Sequence, residues 1–344
     1  MNCQATRTIK KTSLRIKTLT AKMTFLLTTV AIIALCVGRY SISLETLWQA
    51  IIEPSNISDP TVATVLWQVR LPRIVMAALS GAGLAVAGTS LQAIFANPLI
   101  SEHILGVSSG ASFGAALGIL FFKNTFAIQF NAVVFGIAAM LSACFIAQKN
   151  GRVKVLMLVL AGVIVSALFS AGLSMLQYVA DSEKELPTIV FWLMGGLSKS
   201  TMATVYRAAP PLLISIFLLY RNRWQLNLLS LNEEESISLG VNVKRVRLLI
   251  ILLTTLITAS VVSSCGVISF VGLIVPHFGR ILVGSDNKHL VPASIFLGAI
   301  FILLVDTLAR TISASEIPLS ILTSFIGAPF FAYLLHKTGG VWND

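Results

Sequence analysis

Charged side chains are scarce in this sequence. Only 11% of its 344 residues are charged, whereas soluble proteins average about 25%. Hydrophobic residues make up 56% of the chain. A soluble globular enzyme needs a mostly polar surface, and an intrinsically disordered chain needs low hydrophobicity, so both classes are excluded. The composition therefore predicts a protein that crosses a membrane several times.

Cysteine is also rare, and its spacing excludes two kinds of site. The four cysteines lie far apart in the chain, at Cys3, Cys36, Cys144 and Cys265. They form no CxxC pair and no His/Cys ligand spacing, so we expect neither a disulfide framework nor a metal site.

Catalytic and nucleotide-binding motifs are missing as well. The segment Gly195–Thr201 begins with two glycines, but no glycine precedes Lys199, so the spacing of a phosphate loop fails. No nucleophile–base–acid set and no paired carboxylate is visible within an apolar run. We therefore expect no catalytic residue and no cofactor on this chain, and the energy for any work must come from another chain.

Long apolar runs are abundant and predict nine or ten membrane-spanning helices, because one span needs about 20 residues. The short or glycine-interrupted pieces Ile189–Ser198 and Gly266–Val283 are expected to be broken or re-entrant helices. We assign residues 23–338 to a single all-α transmembrane domain. The apolar runs are Met23–Gly38, Ile74–Phe95, Ile104–Phe122, Phe126–Ala147, Val153–Val179, Thr204–Tyr220, Leu248–Ser264, Gly266–Val283, Val291–Leu308 and Pro318–His336.

The basic residues predict the orientation of the spans. Residues 1–22 contain six Lys or Arg and no acid, and the following run ends without a signal-peptide cleavage site. If this basic segment is cytoplasmic, the other Lys- and Arg-rich connections also lie inside, as the positive-inside rule requires. We expect both termini in the cytoplasm. The net charge of +11 then reflects topology and lipid contact rather than nucleic-acid binding.

Three arginines break this rule, because Arg70, Arg73 and Arg310 fall at the outer ends of spans. They either extend to lipid headgroups or form a positive ring at the outer mouth that docks an acidic partner. Arginine suits docking, since its planar fork holds a carboxylate with two hydrogen bonds. Asp306 precedes Arg310 by four residues, the favourable order for a helical ion pair, and is expected to neutralise it.

Glycines recur every four residues along one predicted helix, at Gly106, Gly110, Gly114 and Gly118. Such a stripe lets two helix backbones approach closely in lipid. We interpret it as a helix-packing surface, and a surface that slides during gating is compatible with the same pattern.

The longest internal polar stretch contains one compact helix signal, within residues 231–241. Asn232 is a predicted N-cap, and three acids complement the positive end of the helix dipole. The acids are Glu233, Glu234 and Glu235.

The predicted helix Glu233–Leu239 stops at Gly240, and Ile237 and Leu239 are the apolar residues on it. We expect these two apolar side chains to be buried against another surface. A lipid-surface helix normally carries Lys or Arg on its polar face, and this face is acidic, so a protein partner is favoured.

Taken together, these segments resemble the permease family of type II ATP-binding-cassette (ABC) importers, which serves iron–siderophore, haem and cobalamin uptake. The matching segments occur in the same order as in the family and lie between about residue 45 and residue 336. The matching segments are Arg70–Gly83, Leu91–Gly114, Phe191–Ser198, Leu239–Val243, Phe270–Arg280, Asp306–Arg310 and Glu316–Phe331.

The resemblance implies a fold and a set of partners. It implies ten helices per subunit, two permease subunits, two cytoplasmic ATPases that carry ATP and Mg, and an external substrate-binding protein. It places the chain in the cytoplasmic membrane of a bacterium or archaeon. It implies that Arg70, Arg73 and Arg310 dock glutamates of the binding protein, and that the helix before Leu239–Val243 is the coupling helix that inserts into the ATPase.

Four positions depart from the common family pattern. Asn232 and Ser236 stand in the coupling segment where glycine and alanine are common, and Val267 and Ser269 replace a frequent proline and glycine. The first two leave the type of ATPase contact intact. The second two lie at the start of the predicted broken eighth helix.

The expected cargo is an iron–siderophore chelate, on family frequency alone, with cobalamin, haem and molybdate as alternatives. A different class is an ion-coupled secondary transporter, which needs ionisable residues at mid-span. The span centres offer almost none, since Asp306 lies near a helix end beside Arg310. An integral membrane enzyme would need a clustered polar site, and none is seen.

Overall fold

The computed structural model describes residues 3–52, 59–149, 152–153, 155–231, 233–313 and 315–338, and these residues are mainly helical. A two-residue antiparallel hairpin, β1 (Gln148–Lys149) and β2 (Arg152–Val153), joins two of the helices. The helices are α1 (Cys3–Cys36), α2 (Leu44–Ile52), α3 (Pro60–Ala63), α4 (Leu71–Ile94), α5 (Val107–Leu117), α6 (Thr125–Ala147), α7 (Val155–Val179), α8 (Glu185–Leu193), α9 (Met202–Arg221), α10 (Arg223–Leu229), α11 (Glu233–Ser238), α12 (Val243–Cys265), α13 (Val271–Val283), α14 (Asn287–Ala309) and α15 (Leu319–Thr338).

Seven helical segments of the described chain are long and apolar enough to cross a membrane, and three further apolar helices are shorter. Together they confirm the prediction of an all-α membrane protein with about ten spans. The shorter helices are Val107–Phe122, Val271–Val283 and Leu319–Tyr333.

Several predicted spans begin at different residues in the structure, and two of these differences have a clear local cause. The second begins at Pro60 rather than Ile74, because α3 and the π-helical segment Thr64–Arg70 continue into α4 without a break. The eighth begins at Val271 rather than Gly266. Gly266 and Phe270 have left-handed backbone conformations, with φ of 70° and 66°, which end the helical path between them.

Helix α4 forms the centre of the bundle and crosses α14 at a backbone-to-backbone contact. A Cβ atom at Gly81 would lie 2.1 Å from the carbonyl oxygen of Gly298, so only glycine permits this approach. Nearer the other end of the pair, the hydroxyl of Thr89 donates to Ser294 at 2.9 Å. Small residues and a buried hydroxyl pair thus hold the two helices together, as is typical in lipid.

The glycine stripe faces α6 over most of its length. Cβ atoms at Gly110, Gly114 and Gly118 would lie within 2.6 Å of α6 backbone atoms. Gly106 precedes α5 with φ of 77° and faces Val165 of α7 instead. The stripe therefore lies in a close helix contact, and movement along it stays a prediction.

Candidate functional site

The antiparallel crossing of α4 and α14 places three arginines at one end of the bundle. Arg70 and Arg73 lie where α4 begins, and Arg310 follows the last residue of α14. All three are buried, with 4%, 6% and 6% of their surface exposed. The structure therefore differs from the exposed positive ring that the sequence suggested, because each guanidinium finds acceptors within the chain.

Arg73 lies between two carboxylates. Its Nε donates to both oxygens of Asp306 at 2.8 and 3.0 Å, and its Nη1 donates to both oxygens of Glu316 at 2.9 Å. Asp306 is 2% exposed and Glu316 is 35% exposed. Charge-assisted bonds of this kind are strong, and the two acids neutralise the arginine.

The expected ion pair between Asp306 and Arg310 is secondary. The distance from Arg310 Nε to Asp306 Oδ2 is 3.7 Å, longer than both contacts of Asp306 with Arg73. The predicted pair is thus present, and sequence reasoning missed the shorter contact with Arg73, which lies 233 positions away and is brought close by the helix crossing.

Arg70 and Arg310 bind the carboxyl end of α1. Arg70 donates to the carbonyl oxygen of Cys36 at 3.1 Å and also to those of Leu35 and Tyr40, and Arg310 donates to that of Ala34. A helix leaves its last four carbonyl groups without partners, and a cation there also complements the helix dipole. These two arginines therefore fasten α1 to the bundle. Their role in docking a binding protein stays a prediction.

A cavity of about 590 Å³ adjoins the Arg73–Glu316 pair. Its wall carries Lys184 and Lys199, the acid Glu183 and several hydroxyl groups, and it extends to Cys265 and Gly266. Neither lysine forms an ion pair with a carboxylate in the described part of the chain. The cavity can therefore offer ammonium and hydroxyl donors to a solute that enters it.

Metal ligands do not cluster in the structure. Among the residues that the structure describes, no group of three His, Cys, Asp or Glu side chains could hold a metal ion.

The predicted polar helix is present at the opposite end of the bundle, as α11. Ser236 donates to the carbonyl oxygen of Leu228 at 2.6 Å, which fastens α11 to α10, and Gly240 has φ of 80° just beyond the helix. Ile237 and Leu239 are 58% and 59% exposed. Asn232 and the side chains of Glu233 and Glu234 lie outside the described part of the structure. Ile237 and Leu239 thus remain uncovered within the described chain.

A polar contact joins α10 to the start of α14. The side-chain amide of Asn227 donates to Asp286 at 2.6 Å, and its Oδ1 accepts a hydrogen bond from the backbone N–H of Asn287 at 2.8 Å. Partial burial acts to raise the pKa of Asp286, but hydrogen bonds from the Lys288 N–H and from Asn227 outweigh it and leave this pKa below its ordinary value. Asp286 is therefore ionised at neutral pH, as suits the N-cap of α14.

Sequence reasoning gave no individual role to four polar residues that the structure places in buried or bridging positions. Glu316 binds Arg73, and Glu102 is 1% exposed. Gln92 donates to the carbonyl oxygens of Ile100 and Gly272 and accepts a hydrogen bond from Arg280. In the sequence, these residues could have been recognised because each is polar or charged within a largely apolar chain.

Comparison with known proteins gives matches over nearly the whole chain. The model of the FecCD transport family matches residues 26–337. The chain is 43% identical over 317 residues to the molybdate import system permease protein MolB of Haemophilus influenzae, covering 92% of this chain and 94% of that protein. It is 36% identical to the hemin transport system permease protein HmuU of Yersinia pestis, covering 90% of this chain and 94% of that protein.

A solved structure also matches in both fold and sequence. It is described as an inward-facing conformation of a metal-chelate type ABC transporter, and it shares 42% identity and a TM-score of 0.85 with this chain. The match covers 93% of this chain and 99% of the other.

Replacing Arg73 by alanine should lower the free energy of unfolding by about 3–5 kcal/mol, because it leaves Asp306 buried without its main partner. Thermal unfolding of the detergent-purified protein measures the loss. Arg207→Ala is the control, since Arg207 is exposed on α9 and donates to Gln129. Equal unfolding temperatures for the two variants would contradict the assigned role of Arg73.

Proposed function

The chain belongs to the FecCD transport family of ABC importer permeases, and on that premise we propose that it carries a metal-containing solute across the cytoplasmic membrane. ATP and Mg bind to separate ATPase subunits. The observation that carries the assignment as an ATPase-driven permease is the exposed apolar pair Ile237 and Leu239 on α11. Apolar side chains at the end of a bundle, beside acidic residues, favour a protein surface as their cover.

Helix α11 is well placed to transmit force from an ATPase. It is fastened to α10 by Ser236, and α10 is bonded through Asn227 to the start of α14. Since α14 packs along α4, a push on α11 reaches the central helices through hydrogen-bonded contacts. We therefore assign α11 as the coupling helix.

The partners outside the ATPase are a second permease subunit and an external binding protein. Only 33% of the most apolar stretch of α6 and 22% of that of α7 is buried inside one chain. The remaining surface is available to lipid and to a second copy or a related permease. An acidic binding protein that docks at Arg70, Arg73 and Arg310 would compete with their internal acceptors. Glu316, the most exposed of these, is the one it would displace first.

Molybdate, a small oxyanion, is our first candidate for the cargo. It is supported by the 43% identity to MolB and by Lys184 and Lys199 on the cavity wall, which form no ion pair with a carboxylate of the described residues. A ferric chelate, the cargo expected from the sequence, is the second candidate. It is supported by the 42% identity to a transporter of metal-chelate type and by the cavity volume, which suits a ligand of that size.

Replacing both Ile237 and Leu239 by aspartate should separate the permease from its ATPase. The two side chains that we assign to the contact with the ATPase would then be charged instead of apolar. Co-purification of the two subunits in detergent measures this. Ser238→Asp adds a charge to the same helix without removing an apolar contact, so it should leave the complex intact. Persistent co-purification of the double variant would refute the assignment of α11.

Replacing Lys184 and Lys199 by glutamine should reduce uptake of radiolabelled molybdate several-fold, because the cavity wall loses two positive charges that could attract the oxyanion. Uptake is measured in cells that lack their own molybdate importer and express this chain with its ATPase and binding protein. Lys22→Gln, on α1, is the control. Uptake of a ferric chelate but not of molybdate by the unmodified protein would overturn the first cargo and leave the importer assignment standing.

A further inference from the structure

One face of α9 is exposed and apolar towards its carboxyl end. Leu213, Phe217 and Tyr220 are all exposed, and they follow one another at spacings of four and three residues, so they lie on the same side of the helix. Helix α9 has 20 residues, which gives it a length of about 30 Å, the thickness of the hydrocarbon core of a bilayer. This face is therefore turned towards lipid chains, and each end of α9 lies at a membrane–water boundary.

The end of α9 at Arg221 lies away from the cavity described above. Thr204, in the first turn of α9, lines that cavity. Helix α12 contacts α9, and its last residue, Cys265, lines the cavity as well. The end of α9 and the start of α12 therefore lie together at the opposite boundary, where the first turn of α12 exposes Lys244 and Arg245.

The basic side chains at this boundary lack acidic partners. Among the residues that the structure describes, no carboxylate forms an ion pair with any of four of them. The four are Arg221, Arg223, Lys244 and Arg245. Their charge is thus available to an anion from outside the chain.

Tyr220 holds one of these arginines in place. The Cζ atom of Arg223 lies 4.1 Å from the centre of the Tyr220 ring, and its Nη1 donates to the Tyr220 carbonyl oxygen at 2.7 Å. A guanidinium over a ring face is attracted by the π electrons, so both contacts fix the cation beside a lipid-facing ring. The Nε of Arg223 has no hydrogen-bond partner among the described residues. The guanidinium therefore keeps N–H donors for an external acceptor.

Trp224 adds a second aromatic ring at the same place. It is 60% exposed, whereas Leu226 and Leu229 bury the other side of α10 in the bundle. Tyrosine and tryptophan are enriched at the headgroup level of membranes, because one part of each ring system is apolar and another is polar. Aromatic rings beside unpaired cations at this depth favour a ligand that has both acyl chains and an anionic headgroup.

We propose that Tyr220, Arg223 and Trp224 form a binding site for an anionic phospholipid. One acyl chain lies along the exposed face of α9, and the headgroup phosphate accepts hydrogen bonds from Arg223, whose planar fork suits phosphate oxygens. Lys244 and Arg245 add positive charge at the same boundary, which selects a headgroup with net negative charge over a zwitterionic one. This site is separate from the cavity and does not depend on the cargo.

The opposite end of α9 provides a matched control. Tyr206 and Arg207 are both exposed there, so a tyrosine again lies beside an arginine. The Nη1 of Arg207, however, donates to Oε1 of Gln129 at 2.6 Å. Arg207→Gln thus removes a positive charge beside an exposed tyrosine at the other boundary.

Quenching of Trp224 fluorescence by brominated lipids tests the proposal. The full chain with Trp224 as its single tryptophan is reconstituted in phosphatidylcholine vesicles that contain either brominated phosphatidylglycerol or brominated phosphatidylcholine. The relative affinity from quenching should favour phosphatidylglycerol about fivefold. Arg223→Gln should abolish most of this preference, and Arg207→Gln should retain it. The four other tryptophans are replaced by phenylalanine, at Trp48, Trp67, Trp192 and Trp342.

Three results would overturn the proposal. Equal quenching by the two lipids would remove the anionic selectivity, and no quenching by either would show that this face is covered by protein. An undiminished preference in Arg223→Gln would exclude Arg223 from the site. Added inorganic phosphate should leave the quenching unchanged, and its loss would identify a site for a free anion instead of a lipid.

Arg223→Lys separates the charge from a packing defect. Lysine keeps the positive charge that attracts the headgroup but loses the planar fork, so it should retain about half or more of the preference. A loss as complete as in Arg223→Gln would contradict the role of the charge. Native mass spectrometry of the protein with all five tryptophans should likewise show more retained phosphatidylglycerol than phosphatidylcholine. Both measurements need neither cargo nor ATPase, so they are independent of the uptake experiments.

Discussion

The close antiparallel contact between α4 and α14 is the interaction on which the rest of the structure depends. Gly81 and Gly298 let the two backbones touch, and no larger residue fits at either position. Because lipid gives no hydrophobic force between helices, such packing must hold the bundle together. The contact also sets which residues meet at each end, since it places the start of α4 beside the end of α14.

At one end of the bundle, this placement gives three buried arginines partners within the chain. Water is scarce there, so an unpaired guanidinium would be costly. Arg73 is neutralised by Asp306 and Glu316, while Arg70 and Arg310 satisfy carbonyl groups that α1 leaves open. A docking partner would therefore meet arginines that are already bonded, and binding would require an exchange of acceptors rather than the occupation of a vacant positive patch.

The sequence was sufficient for features that depend on local pattern. Apolar run length predicted about ten spans, and capping signals predicted a helix over Glu233–Leu239, which the structure ends one residue earlier at Ser238. Features that depend on contacts between residues far apart in the sequence were missed. Arg73 meets Asp306 and Glu316 across 233 and 243 positions, and Glu102 meets Gly272 across the bundle. No periodicity encodes such pairs, whereas the i, i+4 spacing predicted the longer Asp306–Arg310 ion pair that is also present.

Energy coupling is the central claim, and uptake into proteoliposomes tests it most directly. The permease is reconstituted with its ATPase and binding protein, and entry of labelled molybdate and of a ferric chelate is measured with ATP and Mg or with a proton gradient alone. The account predicts uptake that requires ATP and persists when the gradient is collapsed. Uptake that follows the proton gradient without ATP would contradict it.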